Sequence, residues 1–506
     1  MYLSPILLFF ISTIITAVLY KLVGKNFALD SPNFRKQHAY SKPQIGGIVF
    51  GSLLLLIGWG SGLAPAWYLI SGVVSILLGV IDDLRYVPWQ IKLLIQLVLA
   101  IYIASVFWNR FDTIVFYNIS FSLSKFSLLV IFLLWFVGVY NAINLLDGLD
   151  GLAGGFMLII CISLGLSDNG DFAKLNTIFA VLLFGFLVFN QRPSKLFMGD
   201  AGSLFLGFHT AVLPLLFKEM DSTSSVLNMT PFILIVSYLI ADTTRVFFTR
   251  IANKKSPMTP DTIHFHHLLL KQSGSYLSSI ASIYIITLAS ATAALYSFYN
   301  ELSDNVMLSH LALMLFFILA PPVQTYVPII TRIVRPFYIW QKNHKRTIPF
   351  LPRTLFTVIL LIGLIVSLFV FNKHVSVIYW QHGLALFMFI IFVFCYPKNK
   401  MTMYVIQLGL ILFLSEIFWN IELNTMTKLF STLLSVSYII FSLERRAGCN
   451  LAKFSALDLL IILLTIGGIV ISTLKFPVSF WFFLMLFSIW FNTSFILRRI
   501  IYFMRI

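Results

Sequence analysis

The sequence predicts an all-α protein, a polytopic bundle of about seventeen transmembrane helices with its N-terminus outside and its C-terminus cytoplasmic. Three observations carry this. Of 506 residues, 11% are charged and 59% hydrophobic, where a soluble protein has about 25% charged residues. Apolar runs near the length of a membrane span recur along the whole chain. The basic residues alternate in density from loop to loop.

Taken in order, the first run, 3–23, has no basic leader and no small-residue cleavage site, so it reads as a retained helix rather than a signal peptide. Further spans fall at 45–63, 66–81, 91–107, 127–144, 152–166, 175–190, 201–217, 230–248, 276–298 and 306–330. Six more follow at 354–371, 376–396, 401–420, 429–443, 457–474 and 477–496. The runs 152–166 and 429–443 are short and suit tilted, buried or re-entrant segments. Pro321 and Pro322 must kink or split 306–330. With the N-terminus outside, alternate loops are cytoplasmic and hold about four-fifths of the Lys and Arg. The net charge of +16 is therefore read as membrane orientation, and nucleic acid is not an expected partner. Cys161, Cys395 and Cys449 are far apart, with no spacing that suits a disulfide framework or zinc.

In this orientation every acidic stretch that suggests a site falls in a cytoplasmic loop of the first two-thirds of the chain. Residues 1–330 read as a core of about eleven helices. Residues 331–353 form a basic cytoplasmic linker, and 354–506 a six-helix extension whose role the sequence leaves unassigned.

The stretch from Asn141 to Gly155, NAINLLDGLDGLAGG, is the strongest signal. Asn141 and Asn144, three apart, share a helix face. Asp147 and Asp150 then flank Gly148 on a turn at the mouth of the bundle, and ionisable groups near membrane depth mark function. Asp82 and Asp83 are adjacent and point in different directions at a helix end. Lys92 and Gln96 share a face one turn into the next helix. Asn190 ends one span, and Asp200 opens the next beside Gly199, Gly202 and Ser203. Backbone N–H groups free at such a helix start suit phosphate, and an Asp there suits Mg2+, which takes a carboxylate or two plus substrate phosphates. Phe197, in a polar loop, either stacks on a base or packs. His264, His266 and His267 follow Asp261. Without a nearby Cys, hydrogen bonding to sugar or phosphate suits them better than zinc.

These stretches resemble the polyprenyl-phosphate N-acetylhexosamine-1-phosphate transferases. The shared features, in order, are Asp30-Ser-Pro-x-x-Arg35-Lys36-x-His38 with Gly46-Gly47; Asp82-Asp83; Asn141 to Gly151; Asn190 with Phe197-Met-Gly-Asp200-x-Gly-Ser203; and Asp261-x-x-His264-x-His266-His267. The resemblance covers about residues 1–330. It implies transfer of a sugar 1-phosphate from a UDP-sugar to a polyprenyl phosphate, with release of UMP, at the cytoplasmic face of the bacterial inner membrane. It implies Mg2+, with Mn2+ as a substitute, and a homodimer as an available assembly. Asp200 resembles the metal ligand, with Asp147 and Asp150 in the nucleotide and metal site. Asp82 and Asp83 resemble the catalytic pair facing the lipid phosphate. Lys36, His38, Asn141, Asn144 and Asn190 resemble substrate-binding residues, Phe197 the uracil-stacking ring, and the histidines the hexosamine-recognition element. Their HxHH form favours GlcNAc, although Thr262 stands where similar enzymes carry a basic residue. A transporter would show paired halves with polar residues at the midplane. Here they cluster at one face. An inactive scaffold would not be expected to keep all five aspartates.

Overall fold

The computed structural model describes residues 4–23, 29–30, 41–117, 119–167, 170–220, 226–256, 262–273 and 276–299, with scattered positions between 307 and 465. Lys36, His38, Asp261, the linker 331–353 and most of the spans expected beyond residue 306 lie outside the described residues. The element order is α1 (Pro5–Leu22), β1 (Leu29–Asp30), β2 (Lys42–Pro43), α2 (Gly46–Gly60), α3 (Ala66–Leu84), α4 (Trp89–Phe107), β3 (Thr113–Phe116), β4 (Ile119–Ser122), α5 (Lys125–Leu146), α6 (Leu152–Gly165), α7 (Gly170–Asn190), α8 (Gly199–Met220), β5 (Val226–Asn228), α9 (Thr230–Ile235), α10 (Ser237–Ala252), α11 (Phe265–Ser273) and α12 (Tyr276–Tyr299).

Among the described residues seven helices are long and apolar enough to cross a membrane: α1, α3, α4, α5, α7, α8 and Ser279–Phe298 within α12. Helices α2 and α6 are apolar but shorter. Helix α3 exposes Ile70, Val73, Leu77, Ile81 and Leu84, and α4 exposes Ile91, Leu94, Val98 and Ile101. Apolar stripes at helical spacing on the outside of a bundle suit lipid, not water. The chain is a multi-pass membrane protein.

By contacts it divides into two compact units, residues 15–328 and residues 2–14 with 329–506. The first half of α1 thus groups with the C-terminal residues rather than with the rest of 1–330. Within that second unit Ser4 donates to the Gln381 side chain, and a Cβ at Gly409 would meet the Phe10 ring.

In the first unit α8 is the hub, packed against α2, α3 and α5. In its most apolar window 89% of residues are buried, against 28% for α4. Small residues let the helix backbones approach, as membrane bundles require. A Cβ at Gly47 of α2 would lie 2.1 Å from both N and Cα of Gly202, and one at Gly79 of α3 would lie 2.3 Å from Ala201 backbone.

Three elements depart from the sequence-based spans. The helix expected at 230–248 is two, α9 and α10, divided at Val236. The loop between α4 and α5 forms an antiparallel β3–β4 hairpin, which β5 joins parallel to β3. The histidine segment opens a short helix, α11.

Candidate active site

The site forms where α3 ends and α8 begins. Asp83, on the last turn of α3, accepts from the backbone N–H of Asp200 at 2.7 Å and of Ala201 at 3.0 Å. A carboxylate there satisfies two donors that an α-helix leaves unpaired and meets the positive end of its dipole. This corrects the expectation that these N–H groups are free for phosphate: a side chain of the neighbouring helix has taken them. Asp82 meets the Asp200 side chain and also reaches α4. It accepts from Lys92 Nζ of α4 at 2.6 Å and from the Val87 N–H at 2.8 Å.

Asn144 fixes the Asp200 carboxylate. Its Nδ2 donates to Asp200 Oδ1 at 3.0 Å and to Ser203 Oγ at 2.7 Å. One turn earlier, Asn141 Nδ2 donates to Gln96 Oε1 of α4 at 2.7 Å and to the Val137 carbonyl. Asn144 thus reaches the acidic centre, while Asn141 ties α5 to α4.

The turn after α5 is held from several sides. Asn190 Oδ1 accepts from the Gly151 N–H at 2.8 Å, and its Nδ2 donates to the Leu196 carbonyl at 3.0 Å. Tyr284 of α12 donates to the Gly151 carbonyl at 2.8 Å. Asp150 accepts from Ser194 Oγ at 2.7 Å and from its N–H at 3.1 Å, with Lys42 Nζ at 3.9 Å. Lys42 donates to Ser194 Oγ and lies 4.7 Å from the centroid of the Phe197 ring. One face of that ring thus carries a cation. The Phe197 backbone pairs with β2 and the start of α2.

Asp147 caps α5. As a residue it is open to solvent, while desolvation of its carboxyl, then the charges of Asp200 and Asp150, push it from 3.8 up to about 7.

Asp242 of α10 organises the histidines. It accepts from Arg245 at 2.8 Å and from the Phe265 N–H at 3.0 Å, and its other oxygen lies 3.0 Å from His264 Nδ1. The His264 and His266 rings are nearly parallel, 6.0 Å apart, and those of His266 and His267 lie 4.1 Å apart. His266 Nε2 lies against Gly148, 2.4 Å from where a Cβ would stand, so the histidines border the Asp147 turn. Burial, then the neighbouring His267, lowers His266 to about 3, which keeps it neutral at physiological pH.

Among the described residues no three His, Cys, Asp or Glu side chains lie together closely enough to hold a metal ion by themselves. Asp150, expected as a third ligand, instead has both oxygens engaged by Ser194. Asp147, which feels the charge of Asp200, and Asp200 are carboxylates of the oxygen-donor type that could hold Mg2+ only with substrate phosphates completing the set.

The charge state gives a test. The folded state holds Asp147 protonated up to about 7, whereas the unfolded chain releases that proton near 3.8. Stability without a cation therefore falls as pH rises through that interval. Metal binding needs the ionised form, so Mg2+ is expected to raise the melting temperature more at pH 8 than at pH 6. Equal shifts in a thermal scan would remove Asp147 from the ligand set.

Several contributors carried only weak signals. Lys42 lay in a loop read for topology, and Asp242 inside the span expected at 230–248. Ser194, Tyr284 and the Gln96–Asn141 pair act through contacts across 44 to 133 positions, which no local pattern encodes.

A helix bundle with lipid-suited outer faces and several carboxylates gathered at one end defines an integral-membrane protein with an acidic polar site. The sequence model of glycosyl transferase family 4 matches residues 66–218, from the start of α3 nearly to the end of α8. The chain is 35% identical over 297 residues to a probable undecaprenyl-phosphate N-acetylglucosaminyl 1-phosphate transferase of Bacillus subtilis, covering 54% of this chain and 78% of that one. It is 30% identical to an undecaprenyl-phosphate alpha-N-acetylglucosaminyl 1-phosphate transferase of Thermotoga maritima, covering 53% and 81%, and 28% identical to its Escherichia coli K12 namesake, covering 59% and 83%. The chain belongs to the polyprenyl-phosphate N-acetylhexosamine-1-phosphate transferases of glycosyl transferase family 4.

Proposed function

We propose that this protein transfers N-acetylglucosamine 1-phosphate from UDP-GlcNAc to undecaprenyl phosphate and releases UMP, the first step of a lipid-linked envelope glycan. The observation that carries the reading is the convergence of Asp82, Asp83, Asn144, Asp147 and Asp200 at one end of the bundle. The names of the relatives supply the substrates.

Asp147 and Asp200 would hold Mg2+, or Mn2+ in its place, and the cation would neutralise the phosphates and stabilise the UMP leaving group. Asn144 keeps Asp200 in one orientation. The Lys92–Asp82 pair sets a positive charge beside the acidic centre, where an anionic acceptor enters. A phosphate monoester has a second pKa near 6, so the acceptor is already mostly dianionic at neutral pH. Direct attack, with Asp82 assisting, then needs little from a base, and catalysis is mainly positioning and charge neutralisation. In this reading the chain crosses the bacterial inner membrane about seventeen times, with the site and the C-terminus cytoplasmic, and a homodimer is an available assembly.

The test is UMP release by purified protein supplied with Mg2+, undecaprenyl phosphate and a panel of UDP-sugars. Release is expected with UDP-GlcNAc, and Asp200→Asn is expected to lower it by about 10^3-fold. Folded protein that releases no UMP from any donor would overturn the reading.

A further inference from the structure

At the end of α5 away from the acidic centre the fold encloses another space. It is a cavity of about 420 Å³ between the β3–β4 hairpin, the first half of α5, α8 around Pro214, β5 and α9. Helix α5 has 22 residues and so spans about 33 Å, close to the thickness of a bilayer's hydrocarbon core. Leu128, Ile131, Phe132 and Trp135 of its first half wall the cavity, which therefore lies in the leaflet opposite Asp147 and Asp200.

Among the described residues every side chain lining the cavity is apolar. The one nitrogen on those side chains, Trp135 Nε1, already donates to the Ala211 carbonyl at 2.8 Å. A buried water needs two to four polar partners, whereas an apolar cavity of about 150 Å³ stays dry and takes benzene. At that ratio of volume to carbon the space takes roughly sixteen carbons, which is one acyl chain and far less than a polyprenyl chain. Its wall opens at Phe121 and Ile131, 42% and 43% exposed, beside Val130 and Leu134 on the outer face of α5. Entry is from the lipid side.

A cation stands at the rim. Lys125 lines a smaller space that shares Phe111, Leu128, Phe132 and Leu215 with the cavity. It donates to the Phe111 carbonyl at 3.0 Å and, among the described residues, pairs with no carboxylate. Arg110 on the same loop pairs with Glu219, and Asp112 accepts from Thr113 Oγ1 at 3.2 Å. The Lys125 ammonium thus keeps two N–H donors for an anion.

We propose that this cavity holds one acyl chain of an anionic phospholipid, whose headgroup phosphate meets Lys125. The lipid sits in the leaflet away from the acidic site, so it is not the acceptor, and the proposal stands apart from the transferase reading.

The probe is phosphatidylglycerol with brominated acyl chains, titrated into delipidated full-length protein in detergent. Bromine quenches indole fluorescence on contact, and the Trp135 signal is the difference between wild type and Trp135→Phe. Quenching is expected to saturate. Phosphatidylcholine with the same chains is expected to bind about fivefold more weakly, an advantage lost in Lys125→Gln. Ile233→Phe puts ring carbons into the cavity and is expected to weaken binding about tenfold without lowering the melting temperature. Ile114→Phe does the same from the hairpin side and replaces it if the first variant fails to fold. Quenching that rises linearly and equally in wild type and the filled variant, as from surrounding lipid alone, overturns the proposal. So does displacement of the brominated lipid by undecaprenyl phosphate at lower concentrations than by phosphatidylglycerol, which gives the cavity to a polyprenyl chain. A dimer that Ile233→Phe dissociates, with no quenching in wild type, also overturns it and gives the cavity to a second copy.

Discussion

Replacing Gly47 with alanine is expected to cost about 3 kcal/mol or more, the upper part of the overpacking range. Two effects oppose each other. Alanine gains roughly 0.8–1.0 kcal/mol over glycine in a helix interior, and less at Gly47, the second residue of α2. Against this, the new Cβ would lie 2.1 Å from both N and Cα of Gly202 and 2.6 Å from the Met198 carbonyl oxygen. These are backbone atoms of α8 and the turn before it, so no side chain can rotate aside. Helices α2 and α8 would have to separate by about 1 Å or more, since real Cβ contacts begin near 3.0–3.4 Å. The overlap outweighs the propensity. Gly138, in the middle of α5, has no atom within 4 Å of its built Cβ, so Gly138→Ala supplies the propensity gain alone. Thermal scans in detergent are expected to show a fall of about 6–12 °C for Gly47→Ala and no fall for Gly138→Ala. Equal melting temperatures would mean that the α2–α8 crossing is looser than described.

Asp83→Asn is expected to lower UMP release by about 10^2-fold, with a higher Mg2+ requirement. The wild-type carboxylate accepts from Asp200 at 2.7 Å and Ala201 at 3.0 Å. An asparagine offers one oxygen, so one N–H loses its acceptor and faces an amide NH2. Losing such a cap costs about 1 kcal/mol, too little to unfold a large bundle. It is enough to shift the start of α8, where Asp200 sits, and a displacement near 1 Å in a reacting array costs about 10^2-fold. The two roles for Asp83 separate in a Mg2+ titration. A carboxylate that meets only the lipid phosphate would leave the Mg2+ half-saturation unchanged on substitution. One that seats Asp200 would raise it. An unchanged titration with a large loss of rate would return Asp83 to a direct role.

The long apolar helices were legible because length and hydropathy suffice for a segment that must satisfy its backbone within lipid. What escaped was set by neighbours. The break at Val236 has no Gly or Pro at the joint to announce it; Pro231 marks only the start of α9. The hairpin depends on Tyr117 at a φ of 47°, uncommon for a residue with a side chain, and on a third strand about 110 positions later. For the site, the sequence supplied residue types but not partners. Asp82 and Asp83 are neighbours in the chain, yet Asp83 caps the backbone of α8 while Asp82 joins Lys92 of α4 to the Asp200 side chain. Asp150 reads like Asp147, differing by the presence of Ser194. Asp242 looked like any acidic residue near a helix end, and its three hydrogen bonds come from residues 3, 22 and 23 positions away.

The unequal burial of α8 and α4 divides the site by what sets its geometry. Asp200, at the start of a helix walled in by protein, keeps its place whatever the thickness of the surrounding bilayer. Lys92 rides on a helix that lies mostly against lipid, and such helices tilt when hydrocarbon thickness and helix length disagree. Hydrophobic mismatch therefore reaches Asp82 through its lysine, and through Asp82 the Asp200 side chain that it meets, while the backbone at the start of α8 stays held by protein. The acidic centre is thus mechanically coupled to the same sheet of lipid from which an acceptor would be drawn.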